Sequence, residues 1–152
     1  MIKWQWSSFD ELSLYELYEA LKVRQAIFVV EQDCAYLDAD GLDQVAWHLI
    51  GWHEDAGMKK IAAYLRVVFP GKKFPEPSIG RVLVTPRSRK KGLGKQLTSE
   101  AIARIADEYP NAAIRISAQQ YLEKFYSEFG FKTVSKPYEE DGIPHIEMLR
   151  CI

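Results

Sequence analysis

The stretch Ile79 to Leu97, Ile-Gly-Arg-Val-Leu-Val-Thr-Pro-Arg-Ser-Arg-Lys-Lys-Gly-Leu-Gly-Lys-Gln-Leu, decides how the rest of the chain is read. A short apolar run rich in β-branched residues reads as a buried strand, Thr85-Pro86 ends it, and a basic loop with two glycines then opens a helical pattern. The first backbone N–H groups of a helix lack intrahelical partners and sit at the positive end of its dipole, so this layout suits an anion. Gly92 and Gly94 would let a ligand come close to the backbone, and Arg89, Lys90, Lys91 and Lys95 put four cations within seven residues. Two phosphate motifs are excluded by spacing. A P-loop needs Lys-Ser/Thr after two widely spaced glycines, whereas here Leu93 alone separates Gly92 from Gly94 and Gln96 follows Lys95. The dinucleotide fingerprint needs a third small residue where Leu97 stands.

Length and composition bound the alternatives. At 152 residues and 47% hydrophobic content, the expectation is one domain, residues 1–152, with a sizeable core. Lys plus Arg total 20 against 21 Asp plus Glu, which argues against nucleic-acid binding by charge alone and makes the basic loop a local feature. Cys34 and Cys151 lie far apart and the three histidines are scattered, so neither a disulfide framework nor a metal site is expected. No apolar signal core or bilayer-length apolar run is present, and the expected setting is a reducing cytoplasm without a membrane anchor.

Outward from the loop, Ile2 to Trp6 alternates as a strand does, and Asp10 or Ser13 is placed to cap a helix from about 14 to the high twenties, with apolar positions 14, 17, 18, 21 and 28 on one stripe. Arg24 shares that stripe and needs a carboxylate partner, for which Glu31, Asp33 and Asp38 are within reach. The segment Asp38 to Asp43 hints at a calcium loop but fails it: with Gly41 at the turn, the first ligand would be Tyr36 and the closing carboxylate Trp47. A solvated loop near the acceptor side is the better reading. Val45 to His53 and Lys60 to Phe69 read as a hairpin. After the basic loop, Leu93, Leu97, Ala101, Ile102, Ile105, Ala106 and Tyr109 keep helical spacing until Pro110 stops the run. Ala112 to Ala118 reads as a strand, Gln119 to Phe129 as a helix, Tyr138 to Pro144 as a polar turn and His145 to Ile152 as a last strand.

Arg89-x-x-Gly92-x-Gly94, after a strand and before a long helix, resembles the pyrophosphate loop of the GNAT superfamily, the acetyl-coenzyme A-dependent N-acyltransferases. The order β, α, β, β, β, α, β, α, β, β matches that fold. The family's Asn-x-x-Ala-x-x-x-Tyr followed by Gly-Phe finds Gln119, Leu122, Tyr126 and Gly130-Phe131 in those places, with Gln119 and Leu122 departing from it. Arg24 to Gln32, the Asp-x-Asp-Gly turn at 38 to 41 and Tyr138 to His145 look like the ElaA-type branch, over nearly the whole chain. The resemblance implies an α/β fold with a central mixed, largely antiparallel sheet flanked by helices. It also implies acetyl-CoA as cosubstrate, an amine acceptor on a small molecule or peptide, and neither metal nor nucleic acid. A homodimer is compatible with it. Leu83, Val84, Arg89, Lys90, Lys91, Gly92, Leu93, Gly94, Lys95, Gln119 and Tyr126 are the cofactor-binding residues it implies.

Moving an acetyl group from a thioester to an amine needs a neutral amine, a polarised carbonyl and a proton for the thiolate. In the GNAT pattern the strand before the loop splays at a bulge, and a backbone N–H there meets the thioester carbonyl; by position this falls to Leu83 or Val84. Tyr126 would protonate the thiolate. Glu31, His48 or His145 could take the ammonium proton, directly or through water. Two further readings keep the fold: a coenzyme A sensor without turnover, and a relative of acyl-homoserine-lactone synthases.

Overall fold

Alternating residues at the start of the chain do form a strand, and the capping signals that follow it set the first helix. The computed structural model describes residues 1–152, the side chain of Asp55 excepted. In order the elements are β1 (Lys3–Ser8), α1 (Leu14–Arg24), β2 (Ala46–Asp55), β3 (Met58–Val68), β4 (Ser78–Val84), α2 (Leu93–Glu108), β5 (Ile114–Gln119), α3 (Glu123–Ser127), β6 (Phe131–Thr133), β7 (Tyr138–Glu140) and β8 (Ile143–Arg150). Ser13, not Asp10, caps α1: its Oγ accepts from the Glu16 amide at 3.1 Å while Glu16 Oε1 accepts from the Ser13 amide at 2.8 Å. Beyond Arg24 the helix widens into a π-helical segment, Gln25–Glu31. Bonds from the Gln32 amide to the Ile27 carbonyl and from the Cys34 amide to the Val29 carbonyl extend the five-residue spacing. The wider turn explains why the apolar period drifts there. Leu14 and Tyr18, expected on the buried stripe, are exposed; Ala20, Arg24 and Ile27 are buried instead.

The strands form one mixed sheet in the order β1-β2-β3-β4-β5-β8-β6, with β7 also paired to β8. All pairings are antiparallel except β4 with β5. Ala56 and Gly57, at φ 53° and 81°, make the tight β2–β3 hairpin turn whose twist suits antiparallel strands. The segment expected as a polar turn after 138 holds the short strand β7, because Tyr138 and Glu140 pair with His145 and Ile143. The helix expected from Gln119 is shorter: Gln119 ends β5, a 3₁₀ turn follows, and α3 begins at Glu123.

Helices cover both faces. Ala20 and Ile27 pack with Ile50, Trp52, Ile61, Tyr64 and Leu83 on one. Leu93, Leu97, Ala101 and Ile105 of α2 meet Leu65, Val67, Ile79 and Ile116 on the other, where Tyr126 and Phe131 also sit. No helix among the described residues is long and apolar enough to cross a membrane.

Candidate active site

The sheet opens where its one parallel pairing fails. β4 and β5 share a single rung, Ser78 opposite Arg115, reinforced by the Arg115 amide donating to the Pro77 carbonyl at 3.1 Å, and then diverge. The cause lies in β4. Leu83 and Val84 stand opposite Tyr64 and Ala63, but Gly80 already stands opposite Arg66, so Arg81 and Val82 together face Leu65. This extra residue is a β-bulge, and Arg81 within it takes φ 53°, a conformation rare for a side-chain-bearing residue. A cleft of about 470 Å³ fills the gap, walled by β4, β5, the segment after α1 and the β7–β8 turn.

Hydrogen-bond alternation decides which amides face the gap. The Thr85 amide donates to the Ala62 carbonyl at 2.9 Å, so Thr85 and Leu83 turn their main-chain groups toward β3, while Val84 turns its own away. The Val84 carbonyl is indeed taken by Arg89 Nε at 3.0 Å rather than by β3. Of the two residues expected to offer an N–H, Leu83 therefore has its amide committed to the sheet. Val82, one of the two bulge residues, lines the cleft.

At the far end of β4 the chain turns through the basic loop into α2. Gly92, at φ 73°, is its N-cap residue; among the described residues no side chain caps the helix, and its first turn holds no acidic residue. The first amides of α2 are thus open to an anion, in contrast to the boxed start of α1. A Cβ placed on Gly92 would meet nothing within 4 Å, and one on Gly94 would only touch Val84 Cγ2 at 4.0 Å, so a group could lie directly on this backbone. The residues present fit a diphosphate. Lys91 and Leu93 also border a second hollow of about 400 Å³ beside His53 and Glu54.

Tyr126 and Gln119 both line the main cleft. The Tyr126 ring is wedged edge-on between Phe125 and Phe131, and burial pushes its phenol up to about 12. Its hydroxyl has no hydrogen-bond partner among the described residues, which leaves it available to a ligand.

The three candidate bases fall in different places. His48 is buried away from the cleft, with Nε2 held by the Asp43 carbonyl at 2.9 Å and Nδ1 by the Tyr64 hydroxyl at 2.7 Å; burial lowers its pKa. Both nitrogens are committed. Glu31 grips Arg89 through both oxygens, at 2.7 and 3.0 Å, and that bond holds its carboxyl below the usual range. The partner expected for Glu31, Arg24, is bound elsewhere. His145 does line the cleft: Nδ1 donates to the Ile143 carbonyl at 2.7 Å, leaving Nε2 3.6 Å from Glu140 Oε2. Glu140 also accepts from Ser117 Oγ at 3.2 Å, and Tyr138 lies within 2.5 Å of that same hydroxyl.

The acidic loop expected to be solvated is instead drawn into the sheet. Asp38 and Asp43 are buried, and three arginines hold them together with Asp40. Arg24 donates to Asp38 at 2.9 Å and to Asp43 at 2.7 Å; Arg66 donates to Asp40 at 2.6 and 2.8 Å and to Asp43 at 2.9 Å; Arg81 donates to Asp38 at 2.8 Å. Burial by itself raises the Asp40 and Asp43 carboxyls, but hydrogen bonds from Arg66 and Arg24 outweigh it and hold both below the usual carboxylate range. Because the folded pKa is depressed, this stability is present above the unfolded value near ~4 and is lost as pH falls through the lower folded value. Urea unfolding is therefore expected to give constant stability from pH 7 to roughly 5 and a progressive loss below about 4.

A split mixed sheet with an uncapped helix start at its mouth is the frame on which acyl-CoA N-acyltransferases are built, and comparison with known proteins agrees. Residues 56–150 match the model of the acetyltransferase (GNAT) domain, and the chain belongs to the GNAT acetyltransferase family. It is 46% identical to the UPF0039 protein sll0451 of Synechocystis over 97% of this chain and 94% of that one. It is 40% identical to ElaA of Escherichia coli over 99% and 97%, and the ElaA crystal structure superposes with a TM-score of 0.90. An acyl-CoA N-acyltransferase from Pseudomonas aeruginosa, 37% identical, superposes with a TM-score of 0.93 over 99% of this chain and all of the other. The fold is the GNAT fold anticipated from the loop, and membership of the family makes the chain an acyltransferase that draws on a coenzyme A thioester.

Proposed function

We propose that residues 1–152 act as one N-acetyltransferase domain, moving an acetyl group from acetyl-CoA to a primary amine by direct attack. The observation that supports this is a cleft lined by Val82 and Tyr126 beside the strand that leads into the uncapped start of α2, where a Cβ on Gly94 would lie 4.0 Å from Val84. With the diphosphate on the α2 start, backed by Lys90, Lys91 and Lys95, the pantetheine arm runs back along β4. The Val84 N–H serves the arm and the Val82 N–H, nearer the bulge, meets the thioester carbonyl. Gln119, which lines the cleft across the gap, would hydrogen-bond the arm.

His145 accepts the ammonium proton at Nε2 and passes it to solvent. The neutral amine nitrogen bonds to the carbonyl carbon, the C–S bond breaks with its electrons on sulfur, and the nitrogen gives up its second proton to the freed Nε2. Tyr126 donates its proton to that thiolate and regains one from solvent as His145 loses its own. A phenol near 12 is a weaker acid than the ordinary tyrosine, so the transfer relies on the thiolate being desolvated in the same cleft. The phenol remains protonated throughout the neutral range. Two free cysteines, Cys34 and Cys151, accord with a reducing cytoplasm.

Thiol release from acetyl-CoA with a panel of amines, run beside calorimetry, tests the reading. Coenzyme binding with transfer to no amine would replace it by the sensor reading. Tyr126→Phe is expected to lower kcat at least ~10-fold while Kd for coenzyme A stays within about twofold; unaltered turnover removes the tyrosine from the chemistry.

A further inference from the structure

The walls of the cleft carry charges that the fold itself does not use. Arg24, Arg66 and Arg81 are balanced by Asp38, Asp40 and Asp43 in the buried network. What remains is a cation, Lys73, on one wall and two carboxylates, Glu140 and Asp141, on the other. Lys73, in the loop before β4, lines the cleft and is exposed, and it has no ion-pair partner among the described residues. Its ammonium lies over the Phe74 ring at 5.7 Å. Beside it, Arg81 uses Nε and Nη2 on Asp38 and Asp40, and its Nη1 has no partner among the described residues. Across the gap, Glu140 Oε2 and His145 Nε2 stand 3.6 Å apart, and because Nδ1 is spent on the Ile143 carbonyl, Nε2 is an acceptor in the neutral imidazole, with no further donor among the described residues between the two. Two facing acceptors repel unless an N–H stands between them. An ammonium group would satisfy both.

We infer that the acceptor is a small aminocarboxylate, a free amino acid or a close analogue, with its ammonium between Glu140 and His145 and its carboxylate on Lys73 and Arg81 Nη1. This rests on the acetyl-transfer reading above and names its substrate class. A guanidinium N–H and an ammonium converging on one carboxylate give charge-assisted hydrogen bonds that a neutral amide cannot match. The ammonium end is delivered to the one imidazole in the cleft able to take its proton. Arg81 is re-aimed for this by the bulge, which gives its unusual φ of 53° a use beyond opening the sheet.

The test compares sets of amines that share a side chain and differ only at the carbon bearing the carboxylate: amino acids, their carboxamides and the decarboxylated amines. Thiol release with acetyl-CoA is expected to give the free acids a kcat/KM at least tenfold above their carboxamides. Lys73→Ala is expected to raise KM for the acids at least fivefold with kcat within twofold, and to shrink the acid preference by the same factor. Carboxamides or decarboxylated amines used as well as the acids by the unaltered protein would overturn the inference while leaving acetyl transfer intact. Failure to acetylate any amine of the panel, with coenzyme still bound, would remove the transferase reading and this inference together.

Discussion

Asp43→Ala is expected to destabilise the protein by about 3–5 kcal/mol, a large part of the roughly 5–15 kcal/mol that holds a domain of this kind together. One carboxylate oxygen, Asp43 Oδ1, accepts from Arg24 at 2.7 Å and from Arg66 at 2.9 Å, and both guanidiniums are nearly inaccessible to water. Removing the carboxylate leaves two buried cations facing each other with one counter-charge fewer between them. Arg66 already has one strained account, since its Nε is buried without a partner among the described residues. Asp43→Asn, which keeps the shape and an acceptor but not the charge, should lose less. The control is Glu100→Ala, which breaks the half-exposed pair with Arg104 one turn away on α2 and is expected to cost no more than about 0.5 kcal/mol. Urea denaturation of the three variants decides it. A loss for Asp43→Ala as small as that for Glu100→Ala would mean the network is solvated in solution.

The second large effect concerns coenzyme binding. Gly94→Leu is expected to weaken acetyl-CoA binding by at least ~30-fold, about 2 kcal/mol, without destabilising the fold. Gly94 lies in the first turn of α2 and has no positive φ, so a side chain there strains nothing, and leucine favours a helix over glycine by up to about 1 kcal/mol. Its Cβ would enter open space beside Val84, where the ligand would otherwise lie. Gly92 is the less informative position, because at φ 73° any side chain also strains the turn and mixes stability with binding. Calorimetry with acetyl-CoA, beside a thermal melt, separates the two. Unchanged affinity in a folded Gly94→Leu protein would place the diphosphate elsewhere.

Much of this was legible before any coordinates. The β4–loop–α2 stretch announces itself because local rules govern each part: a β-branched run, a Thr-Pro break, two glycines and a period of 3.6. Ser13 with Glu16 is equally local. What the sequence hides is set by distant partners. Leu14 and Tyr18 fit the helical stripe, yet the helix is rotated by the need to bury Arg24 against Asp38 and Asp43, residues 14 and 19 positions away. The acidic loop reads as solvated because nothing adjacent shows that Arg66 and Arg81, from two later strands, will claim its carboxylates. β7 is three residues long and exists through pairing with β8, so no periodicity can reveal it. Which amides of β4 turn away from the sheet depends on a bulge that only the register against β3 discloses.

The single rung between Ser78 and Arg115 has one more implication. The sheet is in effect two leaves sewn together by one stitch, and on the proposed reading the cosubstrate arm becomes the missing strand that completes the weave. Such a strand is recognised through peptide groups, which every amino acid possesses. Side chains along that seam can then change without loss of the carrier, and on the same reading the choice of acceptor falls to Lys73, Glu140 and His145.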